Sequence, residues 1–397
     1  MNVEPSTNEP KSYQMNRLII IGNGFDLAHG MKTSFRSFMI WYLSRCLELA
    51  DKAGTNNGDN SLISVTRNRN FELPGHTPSI KRFAEEYLDT NRKIVARSTD
   101  YSTFSNYPQL NPPPFEIKPE PNFMLHLIDN CIPKGWVDIE VEYYKKLKEL
   151  LNDKKKKLSE GIISLNDTVE ILMKSFGEYL NQLPKPQYIE GYTDLFKAKI
   201  DKDEIPTLTL KEDIIVAETQ FLNFNYTGTV DNYASFCKDV PGNEYKFAIN
   251  YIHGCLNDDK NPIIFGYGDE LDPAYKTIEE LQTEGSLKYI KSFWYFRTNK
   301  YHDLIRFIES GDFQVYIIGH SCGLSDRTLL SMIFEHEKCK SIKIFHHTYG
   351  DKKNNFIELT QNISRQFTNK IMMRNKIVPY NDDAEMLQNN LVIPSQG

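Results

Sequence analysis

Arg17-Leu18-Ile19-Ile20-Ile21-Gly22-Asn23-Gly24-Phe25-Asp26-Leu27-Ala28-His29-Gly30 sets an unbroken apolar run directly before Gly-x-Gly. A run of strand length, rich in β-branched residues, reads as a strand buried on both faces of a parallel sheet. The glycines read as a tight loop in which backbone can approach a ligand where a Cβ would clash. Behind the loop, Thr33 and Ser34 can cap a helix whose Phe35, Phe38, Met39, Tyr42, Leu43 and Leu47 share one face. In open α/β sheets such a strand, loop and helix mark where ligands bind, beyond the carboxyl ends of the strands. The dinucleotide fingerprint G-x-G-x-x-G is incomplete here, because its third glycine is absent.

Further strand-like runs lie at Ile214–Asn225, Phe247–His253, Ile263–Tyr267, Gln314–Ile318 and Ser341–His346, with helical patterns at Thr229–Phe236, Thr277–Ile308, Arg327–His336 and Glu358–Phe367. This alternation predicts an α/β fold, a Rossmann-like and mostly parallel sheet flanked by helices. Residues 14–50 and 213–368 form the expected core. Residues 51–212 form an inserted, largely helical subdomain with helices near Ile80–Leu88, Trp136–Leu151 and Thr168–Leu183 and an Asn/Pro-rich segment that includes Asn111-Pro112-Pro113-Pro114. Lys154–Lys157 reads as a solvated helix end. Residues 1–13 and 378–397 are expected as flexible tails.

The 397 residues carry a formal net charge of −6, which does not favour a nucleic-acid partner held by broad phosphate neutralisation. No apolar run approaches the ~18 residues of a membrane span. Cys46, Cys131, Cys237, Cys255, Cys322 and Cys339 form no C-x-x-C pair, so neither a zinc site nor a redox pair is expected. Without a secretory h-region the chain is expected in the cytoplasm with reduced thiols.

Three later segments also end an apolar strand in polar residues: Asn223-Phe224-Asn225-Tyr226-Thr227, Tyr251-Ile252-His253-Gly254 and Ile318-Gly319-His320-Ser321-Cys322-Gly323-Leu324-Ser325-Asp326. Parallel strands would bring all four polar ends to one cleft. There His253 suits a general base, the alternative being a histidine bonded into a turn. Asn225 can orient a sugar hydroxyl or a water, or cap a turn; Asp26 can bind sugar hydroxyls or cap the glycine loop. His29 lies close enough in sequence to enter the site, whereas His346 and His347 read as structural. Gly319-x-Ser321-x-Gly323 matches a nucleophile elbow, but the turn before the next helix is long and the later acids and histidines fit the hydrolase order poorly.

These motifs carry a resemblance. Ile19-Ile20-Ile21-Gly22-Asn23-Gly24-Phe25-Asp26-Leu27-Ala28-His29-Gly30, Trp136-x-Asp138-Ile139-Glu140, Phe224-Asn225-Tyr226-Thr227, Ile252-His253-Gly254 and Gly319-His320-Ser321-x-x-Leu324-Ser325-Asp326 resemble, in order, the signature of the phage abortive-infection AbiH family. More distantly the layout is similar to sirtuin-like NAD-binding domains. That resemblance implies a phosphate loop at Gly22 and Gly24, a ribose or water ligand at Asn225, a base at His253 and an adenosine-ribose contact at Ser321. Asn23 fills the middle of the loop and Thr227 stands where an acid is common, and no zinc-binding cysteine quartet is present, which argues against a protein deacylase. The expectation is an anti-phage protein with NAD as substrate or ligand, hydrolysed at its N-glycosidic bond. Asn225 and His253 are the expected catalytic residues. Gly22, Asn23, Gly24, Phe25, Asp26, Gly319, His320, Ser321 and Asp326 are expected to bind nucleotide. No metal is expected; a phage-derived trigger and a second copy of the chain are the macromolecular partners it allows. The other readings are a nucleotide sensor without turnover and a serine hydrolase built on Ser321.

Overall fold

The computed structural model describes residues 12–56, 62–68, 80–94, 115–119, 122–131, 137–152, 158–209, 212–233, 246–350 and 353–389. β1 (Tyr13–Ile21) leads into the helices of the insertion, which also contains an antiparallel pair, β2 (Ile63–Arg67) and β3 (Phe115–Pro119). The chain then returns to the sheet as β4 (Ile214–Asn223), β5 (Lys246–Tyr251), β6 (Phe313–Ile318) and β7 (Cys339–Phe345). The sheet order is β5-β4-β1-β6-β7, and every neighbouring pair is parallel. This is the α/β, Rossmann-like arrangement. From β1 the chain order runs outward to β4 and β5 on one side and to β6 and β7 on the other, so the switch point lies between β1 and β6.

Alternation along β1 decides which layer each residue joins. Leu18 and Ile20 pack with Val315, Ile317, Leu329 and Ile363 on one face; Ile19 and Ile21 pack with Phe25, Tyr192, Phe196 and Phe221 on the other. Both layers are dry, which is why the strand reads as a continuous apolar run. The helix Phe35–Ala53 starts at Ser34, whose side chain accepts from Ser37 N–H, and ends at Gly54 in the left-handed region. Its apolar face, with Phe38, Leu43 and Leu47, joins the core of the insertion together with Tyr143, Leu147 and Leu172.

Several expectations change. The stretch Thr277–Ile308 is not one helix; it breaks into Pro273–Glu280, Lys291–Trp294 and Lys300–Ser310, with Gly285 at φ +80° in the first break. Ile263–Tyr267 is an extended segment joined by one bridge, Tyr267 to Ile290, rather than a strand of the sheet. Residues 378–389 are no flexible tail: Val378 N–H donates to Ile342 O at 2.9 Å, Met386 N–H to His346 O at 2.7 Å, and Val378, Ala384 and Met386 are buried. Polar composition suggested fraying there, but backbone bonds to the end of β7 hold the segment. Tyr13, counted with the leading tail, opens β1. The Lys154–Lys157 run, the Asn111–Pro114 run and Trp136 lie outside the described residues, as do residues 234–236 of the helix expected at Thr229–Phe236. Among the described residues no helix is long and apolar enough to cross a membrane.

The expected glycine loop after β1 is instead the N-cap Gly22 and first turn of a short helix, Asn23–Ala28, and it touches the loop leaving β6 backbone to backbone. Gly24 N–H donates to Gly319 O at 2.8 Å and Gly22 N–H to Ile318 O at 3.1 Å. A Cβ on Gly22 would lie 2.5 Å from His320 Cα, and one on Gly24 would lie 2.8 Å from Gly319 Cα. Gly319 sits at φ +70°, and a Cβ there would strike Phe25 N, whereas Gly350 at φ +55° faces open space. Gly350→Ala should therefore carry only the left-handed penalty of ~1–2 kcal/mol, while Gly319→Ala adds a backbone collision and should cost at least about twice as much in denaturant unfolding. Equal losses would show that the loop contact is slack.

Candidate active site

The cleft lies at the carboxyl ends of β4, β5, β1 and β6, in a cavity of about 630 Å³. Gly22, Asn23, Gly24, Asp26, Asn225, His253, Gly319, His320, Ser321 and Asp326 all line it. Of the residues expected there, Phe25 does not: its ring is fully buried against His29, Tyr192 and Tyr233 on the far side of the loop. His29 stays out as well, with Nδ1 on Phe25 O at 2.7 Å and Nε2 on Tyr233 Oη at 2.5 Å. The glycines of the first loop are explained by its contact with the second loop, not by room for a ligand.

β4 ends in a polar hook. Asn223 Oδ1 accepts from Asn225 N–H at 3.0 Å, and Asn225 Nδ2 donates to Gly22 O at 3.0 Å, so Asn225 fixes the glycine loop from the neighbouring strand. Thr227 Oγ1 donates to Asp26 Oδ2 at 2.5 Å, while Asp26 Oδ1 is buried with no partner. Burial pushes the Asp26 carboxyl up from its ordinary 3.8 to about 6, although Thr227, Thr229 and Asn225 hydrogen-bond its charged form.

Across the cleft stands a buried charge cluster that sequence reading did not assemble. Lys291 Nζ, fully buried, donates to Asp326 Oδ1 at 2.6 Å and to Glu140 Oε2 at 2.7 Å. His253 Nε2 lies 3.3 Å from the same Asp326 oxygen and 3.3 Å from Tyr295 Oη. Burial works to raise Asp326, but Lys291 and His253 outweigh it and hold the carboxyl well below the usual range. Burial raises Glu140 despite Lys291; for Lys291, burial pulls down but the two carboxylates prevail and its pKa rises. His320 Nδ1 accepts from Cys322 N–H at 3.0 Å, which places its proton on Nε2, 3.6 Å from Asp326 Oδ2. Burial holds this imidazole down at about 4, so it is neutral at pH 7. Glu140 was visible only as part of a motif, and Lys291 carried no local signal, lying inside an apparent helix.

A histidine whose Nε2–H is held by an ionised aspartate keeps Nδ1 as a proton acceptor, and the carboxylate stabilises the imidazolium that results. His253 Nε2, 3.3 Å from Asp326 Oδ1, is placed for such a pair, with Tyr295 Oη as the other neighbour of the same nitrogen. Ser321 has no histidine on its hydroxyl among the described residues; its carbonyl accepts from Asn362 Nδ2 at 2.9 Å. Nor is there, among those residues, a group of three or more His, Cys, Asp or Glu set to hold a metal ion.

Two stability consequences follow from burial. Asp26 binds a proton in the folded chain that the unfolded chain has lost between pH 3.8 and about 6, so its ionisation costs nothing below that window and up to ~3 kcal/mol above it. Asp26→Asn should then raise unfolding stability at pH 8 and change it little near pH 4; a gain that does not grow with pH would contradict the assignment. Lys291→Met strands two buried carboxylates and should cost about 3–5 kcal/mol, partly recovered when Glu140→Gln is added, as chemical denaturation would measure.

No curated protein matches the chain. The family model described as bacteriophage abortive infection AbiH matches residues 18–348, a span that contains the carboxyl-terminal half of β1, the whole insertion, all four strand ends of the cleft and the Glu140, Lys291 and Asp326 cluster. The chain belongs to the AbiH family, and its role is in phage abortive-infection defence.

Proposed function

We infer that the cleft binds a nucleotide such as NAD and hydrolyses the N-glycosidic bond between its ribose and nicotinamide. The observation that carries the reading is His253, held on Asp326, in one cleft with Asn225 and with Asp26, which has a carboxylate oxygen to spare. Cleavage of this bond builds positive charge on the ribose. Asp26, Glu140 and Asp326 line the cleft, and no lysine or arginine does among the described residues. A buried site of this sign favours a cationic transition state. Phosphates would be met by backbone instead: among the described residues, the N–H groups of His320 and Ser321, at the edge of the cleft, have no hydrogen-bond partner.

In the reaction, water attacks C1′ as the bond to the nicotinamide nitrogen breaks. Nicotinamide leaves with the electron pair as a neutral molecule, and the water's proton passes to His253 Nδ1 and then to solvent. Asn225 and Asp26 accept from the ribose hydroxyls and hold the sugar in line. Asn225 does so through Oδ1, the acceptor of its amide, while its nitrogen donates to Gly22 O.

Removing a general base costs typically ~10²–10⁴-fold in rate. His253→Ala and Asn225→Ala should each fold, lose most nicotinamide release from NAD and lose phage protection, whereas the exposed His302→Ala should retain both. Nucleotide retained on the purified chain without nicotinamide release, with His253→Ala still protective, would replace the enzyme with a sensor.

A further inference from the structure

We propose that a second chamber beside the cleft takes the adenosine end of the dinucleotide, and that Glu358 there selects a ribose with a free 2′-hydroxyl, so that NAD is accepted and NADP refused. The inference rests on the dinucleotide reading above. The chamber measures about 280 Å³ and shares Gly24, Gly319 and Ser321 with the main cleft, so the loop after β6 forms the waist between them. The two volumes together fall in the range of ligand clefts, about 300–1,000 Å³. Phe345, Leu359 and Met386 give the chamber apolar wall on which a flat base can lie.

Its polar side comes from the helix Phe356–Gln366. Glu358 and Asn362 are four residues apart and therefore on one face. Asn362 Nδ2 donates to Ser321 O at 2.9 Å, which pins the helix to the waist, and Glu358 lines both chambers. A carboxylate accepts hydrogen bonds from a vicinal diol and repels a phosphate monoester. An arginine or lysine would be needed to hold a 2′-phosphate, and neither lines either chamber among the described residues. The pyrophosphate needs no such side chain, because the His320 and Ser321 amides stand at the waist.

Calorimetric titration of the full chain with ADP-ribose and with its 2′-phosphate tests this without turnover, since neither carries the scissile nicotinamide bond. The wild-type chain should bind ADP-ribose at least ten-fold more tightly. Glu358→Arg should bring the two ligands within about three-fold or reverse them, and Glu358→Gln should fall between. Glu358 is exposed, so unchanged thermal unfolding of both variants should accompany the result. Equal wild-type affinities, or a preference that survives Glu358→Arg, overturn the role of Glu358 and leave the NAD reading standing. No binding of either ligand, together with no nicotinamide release from NAD, overturns both.

Discussion

The structure depends on one contact, the crossing of the Gly22–Gly24 loop with the Gly319–His320 loop at the point where the sheet's order reverses. At a switch point neighbouring strands send their connections to opposite faces, which opens a crevice between the two loops. In this chain the crevice is closed at its base by backbone hydrogen bonds, and side chains are excluded by distance: a Cβ at Gly22 or Gly24 would collide with the opposite loop. The same closure sets the cleft's floor. Asn225, donating to Gly22 O from the end of β4, fastens the loop from its other side.

On that floor stands a second constraint, the buried Lys291. It is held between Glu140, from the insertion, and Asp326, from the turn after β6. Burying one ammonium between two carboxylates leaves excess negative charge, which His253 and the neutral His320 share at 3.3 and 3.6 Å from Asp326. The insertion is thus part of the site's electrostatics rather than an appendage. Glu140 Oε1 also accepts from Gly266 N–H at 3.2 Å, which ties the helix Val137–Asn152 to the extended segment that follows His253.

Asp26 shows the opposite treatment of the same functional group. Asp326 accepts from the Lys291 ammonium and ionises readily, whereas Asp26 meets hydroxyls and an amide and is pushed up to about 6. Environment alone thus drives two carboxylates of one cleft to opposite sides of the ordinary carboxylate range.

The sequence by itself determined the sheet, because a strand buried on both faces must be apolar throughout, and Leu18–Ile21 and Val315–Ile318 are unmistakable in that respect. It also determined that the strand ends would meet, since parallel strands place like ends on one edge; Gly24, Asn225, His253 and Ser321 do line one cleft. Only the tertiary structure decided what those residues touch. The glycines read as room for a ligand and proved to be room for another loop; Phe25, expected to bind nucleotide, turned into the aromatic core. Lys291 and Glu140, 151 positions apart, have no local pattern that could pair them, because a salt bridge leaves no periodicity in the chain. Residues 378–389 read as loose for the same reason: their order comes from backbone bonds to the end of β7, and backbone groups are identical in every sequence.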